Sequence, residues 1–350
     1  MSKPVYRHEC ESLYPHNPDV LEREFAENGF AKGWSMHGKP VPDYYFDSHV
    51  HYSGGQSDNI YDNLRVQTES PELFGVKHQL IMFQIYGKKW NLNMLKPESI
   101  MDTFPYFTVE ELKNHLSTPD NIFASKKHYW SAYLNYLSPE KELIHAAADM
   151  GARCIKLHNA AQIEDNAPHD LWYSDDWQSA FTAMAERKLP VLWHVTQRLP
   201  SSVYTGGKRN VYWETGWKNG VKYNNEDLLQ VFLNCCRRNP DVNFIGAHQL
   251  HIGWERLDDL FTAHKNLYVD TTIGCMLRLY DNFYPHDKEY LRSVFIRWAD
   301  RILFGTDSFG DYSESNYLQH MRFITSLDLP QDVLDKICHG NLERICGIAQ

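Results

Sequence analysis

The chain has 350 residues, of which 43% are hydrophobic and 23% are charged. This composition supplies enough apolar side chains for a sizeable core and excludes a disordered or fibrous protein. Asp and Glu number 45 against 35 Lys and Arg, and the formal charge of −10 argues against nucleic-acid phosphates or anionic membranes as partners. The 18 histidines are the unusual feature of the composition.

Targeting segments and disulfides are not indicated. No stretch of about 18 uncharged apolar residues occurs, as a membrane-spanning helix would need, and the first 20 residues contain no apolar signal core. We therefore expect a cytoplasmic protein. The cysteines show neither the spacing of a disulfide framework nor a C-x-x-C metal motif, so we interpret them as reduced core thiols: Cys10, Cys154, Cys235, Cys236, Cys275, Cys338 and Cys346.

Short apolar runs rich in β-branched and aromatic residues alternate with segments of helical period, which predicts βα units. Helical patterns include Pro139–Gly151, Asp176–Lys188 and Asn225–Arg238. Eight strands are predicted, at Tyr44–His49, His78–Ile85, Tyr129–Asn135, Cys154–His158, Val191–Val195, Asn243–Ala247, Leu267–Asp270 and Ile302–Gly305. Eight strands in succession favour an α/β fold of the (β/α)8 TIM-barrel type in a single domain. A doubly wound open sheet is less favoured, because no glycine-rich phosphate turn follows the first strand.

The chain is longer than the roughly 250 residues of a typical barrel, so extensions must account for the rest. We predict an N-terminal extension at residues 1–43 and the barrel at residues 44–350. Residues 196–226, after the fifth predicted strand, combine tyrosines and tryptophans with Arg198, Lys208 and Arg209. Because active sites of barrels are built from loops after the strands, we interpret this segment as a substrate lid, the alternative being a solvated loop.

Metal-competent side chains stand at the ends of four predicted strands. His49 and His51 are separated by one residue, so alternation along a strand can turn both imidazoles to the same side. His194 closes the fifth predicted strand, His248 the sixth and Asp307 the eighth. Since the carboxyl ends of parallel barrel strands meet at one face, this pattern predicts a metal site there.

The order of these residues resembles the amidohydrolase superfamily of metal-dependent barrels. Within it, the chain resembles the amidohydrolase-related (amidohydrolase 2) branch, which includes small-molecule hydrolases, a hydratase and non-oxidative decarboxylases. The resemblance covers about Tyr44 to the C-terminus. Further stretches that carry it are Gly151–His158, Leu189–His194, Asn266–Thr271, Arg301–Asp307 and His339–Ile345.

The resemblance implies a catalytic metal centre. His49, His51, His194 and Asp307 would bind one divalent cation, most often zinc in the family, with manganese or iron also compatible with these ligands. A water molecule activated by the metal would be the nucleophile, Asp307 would transfer its proton, and His248 would hydrogen-bond or polarise the substrate carbonyl.

Other residues are candidates for binding the substrate. The fourth predicted strand carries Lys156 and His158. In binuclear relatives a lysine at this place is carboxylated, but the branch is usually mononuclear, so we interpret Lys156 as a substrate-facing or structural cation. His251 is expected to line the pocket, and Arg198 and Trp213 of the predicted lid to bind a carboxylate and a ring.

The reaction class stays open between two possibilities. Hydrolysis of a small, cyclic or aromatic, carboxylated compound is favoured because many aromatic-acid decarboxylases of the branch have Glu where this chain has His49. Non-oxidative decarboxylation or hydration is the alternative, because the aminocarboxymuconate semialdehyde decarboxylase keeps both histidines. A non-catalytic ligand-binding barrel has little support, since every expected ligand position is present. The expected partner is a small-molecule substrate, and a homodimer is plausible.

Overall fold

Nine parallel strands form one sheet in the computed structural model, which describes residues 38–52, 54, 59–87, 105–196, 223, 225–252, 254–272, 285–308 and 314–348. They are β1 (Tyr45–His51), β2 (Val76–Ile85), β3 (Tyr106–Phe107), β4 (Tyr129–Leu134), β5 (Cys154–His158), β6 (Val191–His194), β7 (Phe244–Gly246), β8 (Leu267–Asp270) and β9 (Ile302–Leu303). Most of the predicted N-terminal extension lies outside the described residues, so its boundary at residue 43 stays a prediction.

Eight of these strands follow one another around a barrel in sequence order, β1-β2-β4-β5-β6-β7-β8-β9. The chain after β9 closes the ring against β1. There the amide of Ser48 donates to the carbonyl of Phe304 at 3.0 Å, and the amide of His51 donates to that of Ser308 at 2.8 Å. The fold is therefore the predicted (β/α)8 TIM barrel.

All eight predicted strands are present; β5 and β8 have the predicted ends, and the other strands differ from the prediction by one or two residues at an end. The main difference at the site is that β1 continues to His51, so both histidines lie inside the strand. The register of β1 against β2 shifts between Asp47 and Val50, an irregularity of the kind that re-aims side chains near active sites. The strand β3, which pairs with β2 outside the ring of eight strands, was not predicted because two residues are too short to show a period.

Helices alternate with the strands, as the periodicity predicted. They occupy Ile60–Glu72, Val109–Leu116, Lys141–Asp149, Ala160–Glu164, Asp175–Glu186, Asn225–Arg238, Trp254–Ala263, Pro285–Arg297, Glu314–Ser326, Gln331–Asp335 and Asn341–Ile345. A capping box of Thr108 and Glu111 starts the second of these, and the Ser174 side chain caps the fifth. None of the described helices is long and apolar enough to cross a membrane.

Two apolar clusters hold the barrel together. One lies between strands and helices and contains the buried Trp172, Trp177 and Trp193. The other fills the barrel interior with residues such as Phe46, Leu192 and Ile245. The five described cysteines are buried and free, as expected for core thiols, and burial raises the pKa of Cys154 to about 12. Cys10 and Cys275 lie outside the described residues.

Candidate metal and active site

The predicted ligand residues meet at the carboxyl ends of the barrel strands. His49 and His51 end β1, His194 ends β6, His248 follows β7 and Asp307 follows β9. His194 is partly buried and the other four residues are buried. Strand direction alone produces this convergence, because every strand of the barrel is parallel to its neighbours.

The carboxylate of Asp307 lies at the centre of the group. Its Oδ1 is 3.2 Å from Nε2 of His49 and 3.2 Å from Nε2 of His51, and its Oδ2 is 3.8 Å from Nε2 of His248. Among the described residues, one group of three has ligand atoms all within 4.8 Å of one another, and it consists of His49, His248 and Asp307. The geometry thus brings His248 into the candidate ligand set, alongside the role predicted for it with the substrate.

His194 lies beside this group. Its ring centroid is 4.6 Å from that of His248. Its Nε2 is buried and has no hydrogen-bond partner among the described residues. A buried nitrogen without a partner is costly unless a ligand completes it, which fits a residue that coordinates a metal.

Asp270, at the end of β8, orients the first histidine and was not singled out from the sequence. Its Oδ2 lies 2.8 Å from Nδ1 of His49, so the neutral imidazole keeps its proton on Nδ1 and its lone pair on Nε2, facing Asp307. Carboxylates commonly hold metal-binding histidines in this way. The signal available in the sequence was its place at the end of a strand, the same signal that indicated Asp307.

His248 is oriented by the same strand end. Its Nδ1 is 3.0 Å from Oγ1 of Thr272, and that hydroxyl donates its own proton to Oδ1 of Asp270 at 2.5 Å. Thr272 therefore accepts a hydrogen bond from Nδ1 of His248, and the neutral ring presents an unprotonated Nε2. This tautomer suits His248 as a metal ligand or proton acceptor, whereas polarising a carbonyl would need a proton on Nε2.

The backbone that carries His248 is strained. The four residues His248, Gln249, Leu250 and His251 have φ values of 56°, 51°, 58° and 52°, and Asp307 has 55°. The left-handed conformation costs roughly 1–2 kcal/mol for each L-residue, so surrounding contacts must hold this turn in place. Such strain concentrates at functional sites. The turn brings the predicted pocket residue His251 next to His248, with their rings nearly parallel at 5.0 Å.

His158, at the end of β5, can donate a hydrogen bond to a ligand. Its Nδ1 accepts a hydrogen bond from the amide of Ala160 at 2.8 Å, which puts the proton of the neutral ring on Nε2. The ring lies 4.0 Å from that of His194 and is partly exposed. The structure therefore brings this predicted substrate residue to the site.

Lys156 is fully buried and its Nζ lies 2.9 Å from Nε2 of His49. Burial lowers the pKa of this ammonium to about 8, although Asp307 and Asp270 favour its charge. The ammonium of Lys156 thus contacts a candidate metal ligand directly. A metal ion bound to Nε2 of His49 would have to displace this ammonium.

Burial also acts on the histidines. It lowers the pKa of His49, His158 and His194 well below the usual value, and lowers that of His51 despite the neighbouring Asp307 carboxylate. Imidazoles must be neutral to coordinate a metal. A divalent cation fits this set of groups, which comprises neutral rings, a fixed tautomer at His49, an unpartnered nitrogen on His194 and one carboxylate.

The predicted lid residues Arg198, Lys208, Arg209 and Trp213 lie outside the described residues.

Solved structures resemble this fold at low sequence identity. Dihydroorotase from Campylobacter jejuni is 15% identical, with a TM-score of 0.52 over 89% of this chain and 84% of that chain. A 5-carboxyvanillate decarboxylase from Novosphingobium aromaticivorans with bound manganese is 11% identical, with a TM-score of 0.53 over 88% and 100%. A 2,6-dihydroxybenzoate decarboxylase is 13% identical, with a TM-score of 0.50 over 88% and 99%. These likenesses support the barrel fold alone, and no curated protein matches the sequence.

The comparison with protein families identifies the family as well as the fold. The Amidohydrolase family matches residues 134–348, which is more than half of the chain. This range includes β5 to β9 with Lys156, His194, His248 and Asp307, whereas β1 with its two histidines precedes it. The chain belongs to the Amidohydrolase family.

Proposed function

We propose that this protein is a metal-dependent hydrolase of small, cyclic or aromatic, carboxylated compounds. The observation that carries the proposal is the position of Asp307, whose carboxylate lies 3.2 Å from Nε2 of both His49 and His51 at the catalytic face of the barrel. Zinc is the first candidate for the cation, and manganese or iron also suits imidazole and carboxylate ligands. We propose His49, His51, His194 and Asp307 as ligands, with His248 close enough to join them.

We assign proton transfer to Asp307. A divalent cation, when bound, supplies a Lewis acid that lowers the pKa of water to roughly 7. Asp307 can accept the proton of the attacking water and return it to the leaving group, as a carboxylate beside the reacting atoms can. The unprotonated Nε2 of His248, 3.8 Å from this carboxylate, provides a second proton acceptor next to it.

Substrate binding is assigned to donors around the histidines. The N–H on Nε2 of His158 can donate to a substrate oxygen. The ring of His251 lies 5.6 Å from that of His194, which places it close enough to contact a substrate. The ammonium of Lys156 is a buried cation that favours an anionic group, since a charge-assisted hydrogen bond is stronger than a neutral one. We propose Arg198 and Trp213 of the predicted lid as further contacts to a carboxylate and a ring.

Non-oxidative decarboxylation or hydration is the second candidate. The specific observation that favours it is the pair of donors on β5, Lys156 and His158, because two donors beside the ligands can hold a substrate carboxylate against the site. In a decarboxylation, the carbon that loses carbon dioxide must gain a proton. Asp307 is again the group positioned to deliver it.

A metal analysis followed by a substrate screen tests the proposal. Purified protein should hold about one divalent ion per chain, and the His49→Ala, His51→Ala double variant should lose it. Lactones and esters would be screened for released acid, and carboxylated aromatics for released carbon dioxide. Acid release supports hydrolysis and carbon dioxide release supports the second candidate. Protein without metal, or metal retained by the double variant, would overturn the site.

The Asp307→Asn variant separates metal binding from proton transfer. It should retain much of the metal, because the amide oxygen and the histidines remain, while turnover falls by about 100-fold or more. Full activity in this variant would contradict the role of Asp307.

A further inference from the structure

We propose that Gln249 is a positioning residue that sets the metal affinity of the site by holding the left-handed turn His248–His251 against the end of β8. The inference rests on the proposed function, because it assumes that His248 belongs to a metal site with His49 and Asp307. The side chain of Gln249 donates to the backbone carbonyls of Asp270 and Thr272, so its effect would pass through the backbone of the turn.

Contacts from outside the turn must stabilise its backbone conformation. Its residues all have positive φ, which L-residues adopt only where the surroundings compensate the strain. Without such contacts, the segment would relax and His248 would leave its place 3.8 Å from Asp307.

Gln249 stabilises the turn through hydrogen bonds to the end of β8. Its side chain is buried, and Nε2 donates both of its protons, one to the carbonyl of Asp270 at 2.6 Å and one to that of Thr272 at 2.9 Å. Asp270 also orients His49, and Thr272 also orients His248. One glutamine therefore joins the turn to the segment that fixes the tautomers of two candidate ligands.

Two contacts hold the other side. Oγ1 of Thr196, just after β6, donates to the carbonyl of Leu250 at 2.5 Å. The Leu250 side chain folds back over Gly246, where a Cβ atom would lie only 2.5 Å from its Cδ2. The turn is thus held between the ends of β6 and β8, where the two hydrogen bonds of Gln249 add to those that the amide and the ring of His248 make with Asp270 and Thr272.

The test is a Gln249→Met variant, which keeps the shape of the side chain and removes both hydrogen bonds. We expect the affinity for Zn²⁺, measured by competition with a chromophoric chelator, to fall by about 10- to 100-fold, as for other residues that orient metal ligands. The visible absorption of the Co²⁺-loaded protein, which reports the coordination geometry, should change as well.

A matched control is Gln162→Met. Gln162 is a buried glutamine whose side chain also makes two hydrogen bonds, to the carbonyl of Pro168 at 2.7 Å and from the indole of Trp172 at 2.9 Å. It should lose stability while its Zn²⁺ affinity and Co²⁺ spectrum stay as in the wild type. Equal losses of affinity in both variants would show a general effect of stability and overturn the inference.

Thr196→Val serves if Gln249→Met does not fold, because it removes one hydroxyl contact to the same turn. It should weaken Zn²⁺ binding severalfold, and unchanged binding would overturn the inference. A wild-type protein that binds no metal would overturn the proposed function together with the inference. A wild type that binds metal and a Gln249→Met variant that binds it equally well would overturn the inference alone.

Discussion

Nδ1 of His49 lies 2.8 Å from Oδ2 of Asp270, although 221 positions separate the two residues in the chain. This hydrogen bond connects the first strand of the barrel to the seventh of its ring. It directs the lone pair of His49 towards Asp307. The carboxylate of Asp270 is thus part of the site although Asp270 is not one of the proposed ligands.

Asp270→Asn should weaken metal binding by about 10- to 100-fold, because a neutral amide is a poorer acceptor for His49 and for the amide of His248. Chelator competition with Zn²⁺ measures this loss. Asp300→Asn is the control, since Asp300 is an exposed carboxylate that pairs with Lys336 at 3.2 Å. If both variants kept wild-type affinity, Asp270 would have no part in orienting the ligand.

Lys156→Met should strengthen Zn²⁺ binding, by about fivefold or more. The ammonium lies within hydrogen-bonding distance of Nε2 of His49, the atom that would bind the metal, and its charge repels a cation. Removing one like charge a few ångströms away should improve the free energy of metal binding by at least about 1 kcal/mol. Isothermal titration with Zn²⁺ measures the change. A weaker affinity in the variant would show instead that Lys156 contributes to holding the metal.

His158→Gln and His158→Asn should differ in activity. Gln places an amide N–H near the position of Nε2, whereas Asn reaches only as far as Nδ1. A hydrogen bond to a charged group is worth about 1.5–3 kcal/mol, so we expect kcat/KM to fall by about 10- to 100-fold in the Asn variant and by less in the Gln variant. Kinetics on the substrate class found in the screen provide the measurement. Equal losses would indicate a packing role.

The ion pair between Glu226 and Arg256 predicts a pH dependence of stability. Two hydrogen bonds, at 2.7 and 2.8 Å, lower the pKa of Glu226 below its ordinary value of 4.5. The stabilisation is therefore present above that value and is lost as the pH falls through the lowered pKa. Because both side chains are more than a third exposed, it should amount to only about 0.5–1 kcal/mol.

Urea unfolding of the wild type and Glu226→Gln measures this effect. The difference in the free energy of unfolding should be largest at pH 7 and should shrink towards zero as the pH falls below about 4. A difference that grew on acidification would mean that the carboxylate is destabilising in the native protein.

The barrel was predictable from short-range patterns. The apolar runs of Val191–His194 and Leu267–Asp270 have the length and the aliphatic and aromatic content of buried strands, and their spacing leaves room for one helix each. The strand β3 was missed because two residues show no period. The short range of these signals also explains why strand ends differed by a residue or two.

Placement of candidate ligands was predictable for the same reason. In a parallel barrel all strands end at one face, so His49, His194, His248 and Asp307 had to converge once the strands were recognised. The detailed roles of these residues could not be predicted. Which nitrogen of His248 carries the proton depends on Thr272, and the left-handed backbone from His248 to His251 has no glycine to signal it.

Local patterns in the sequence were enough to predict the barrel, its eight strands and the face at which histidines and a carboxylate gather, because periodicity and strand direction repeat along the chain. The identity of the atoms that contact one another at this face follows from the folded structure. The contact of Lys156 with His49 joins residues 107 positions apart, and that of His49 with Asp270 joins residues 221 apart. Such contacts depend on rotamers and tautomers that are selected by packing, and packing exists only after the barrel has closed.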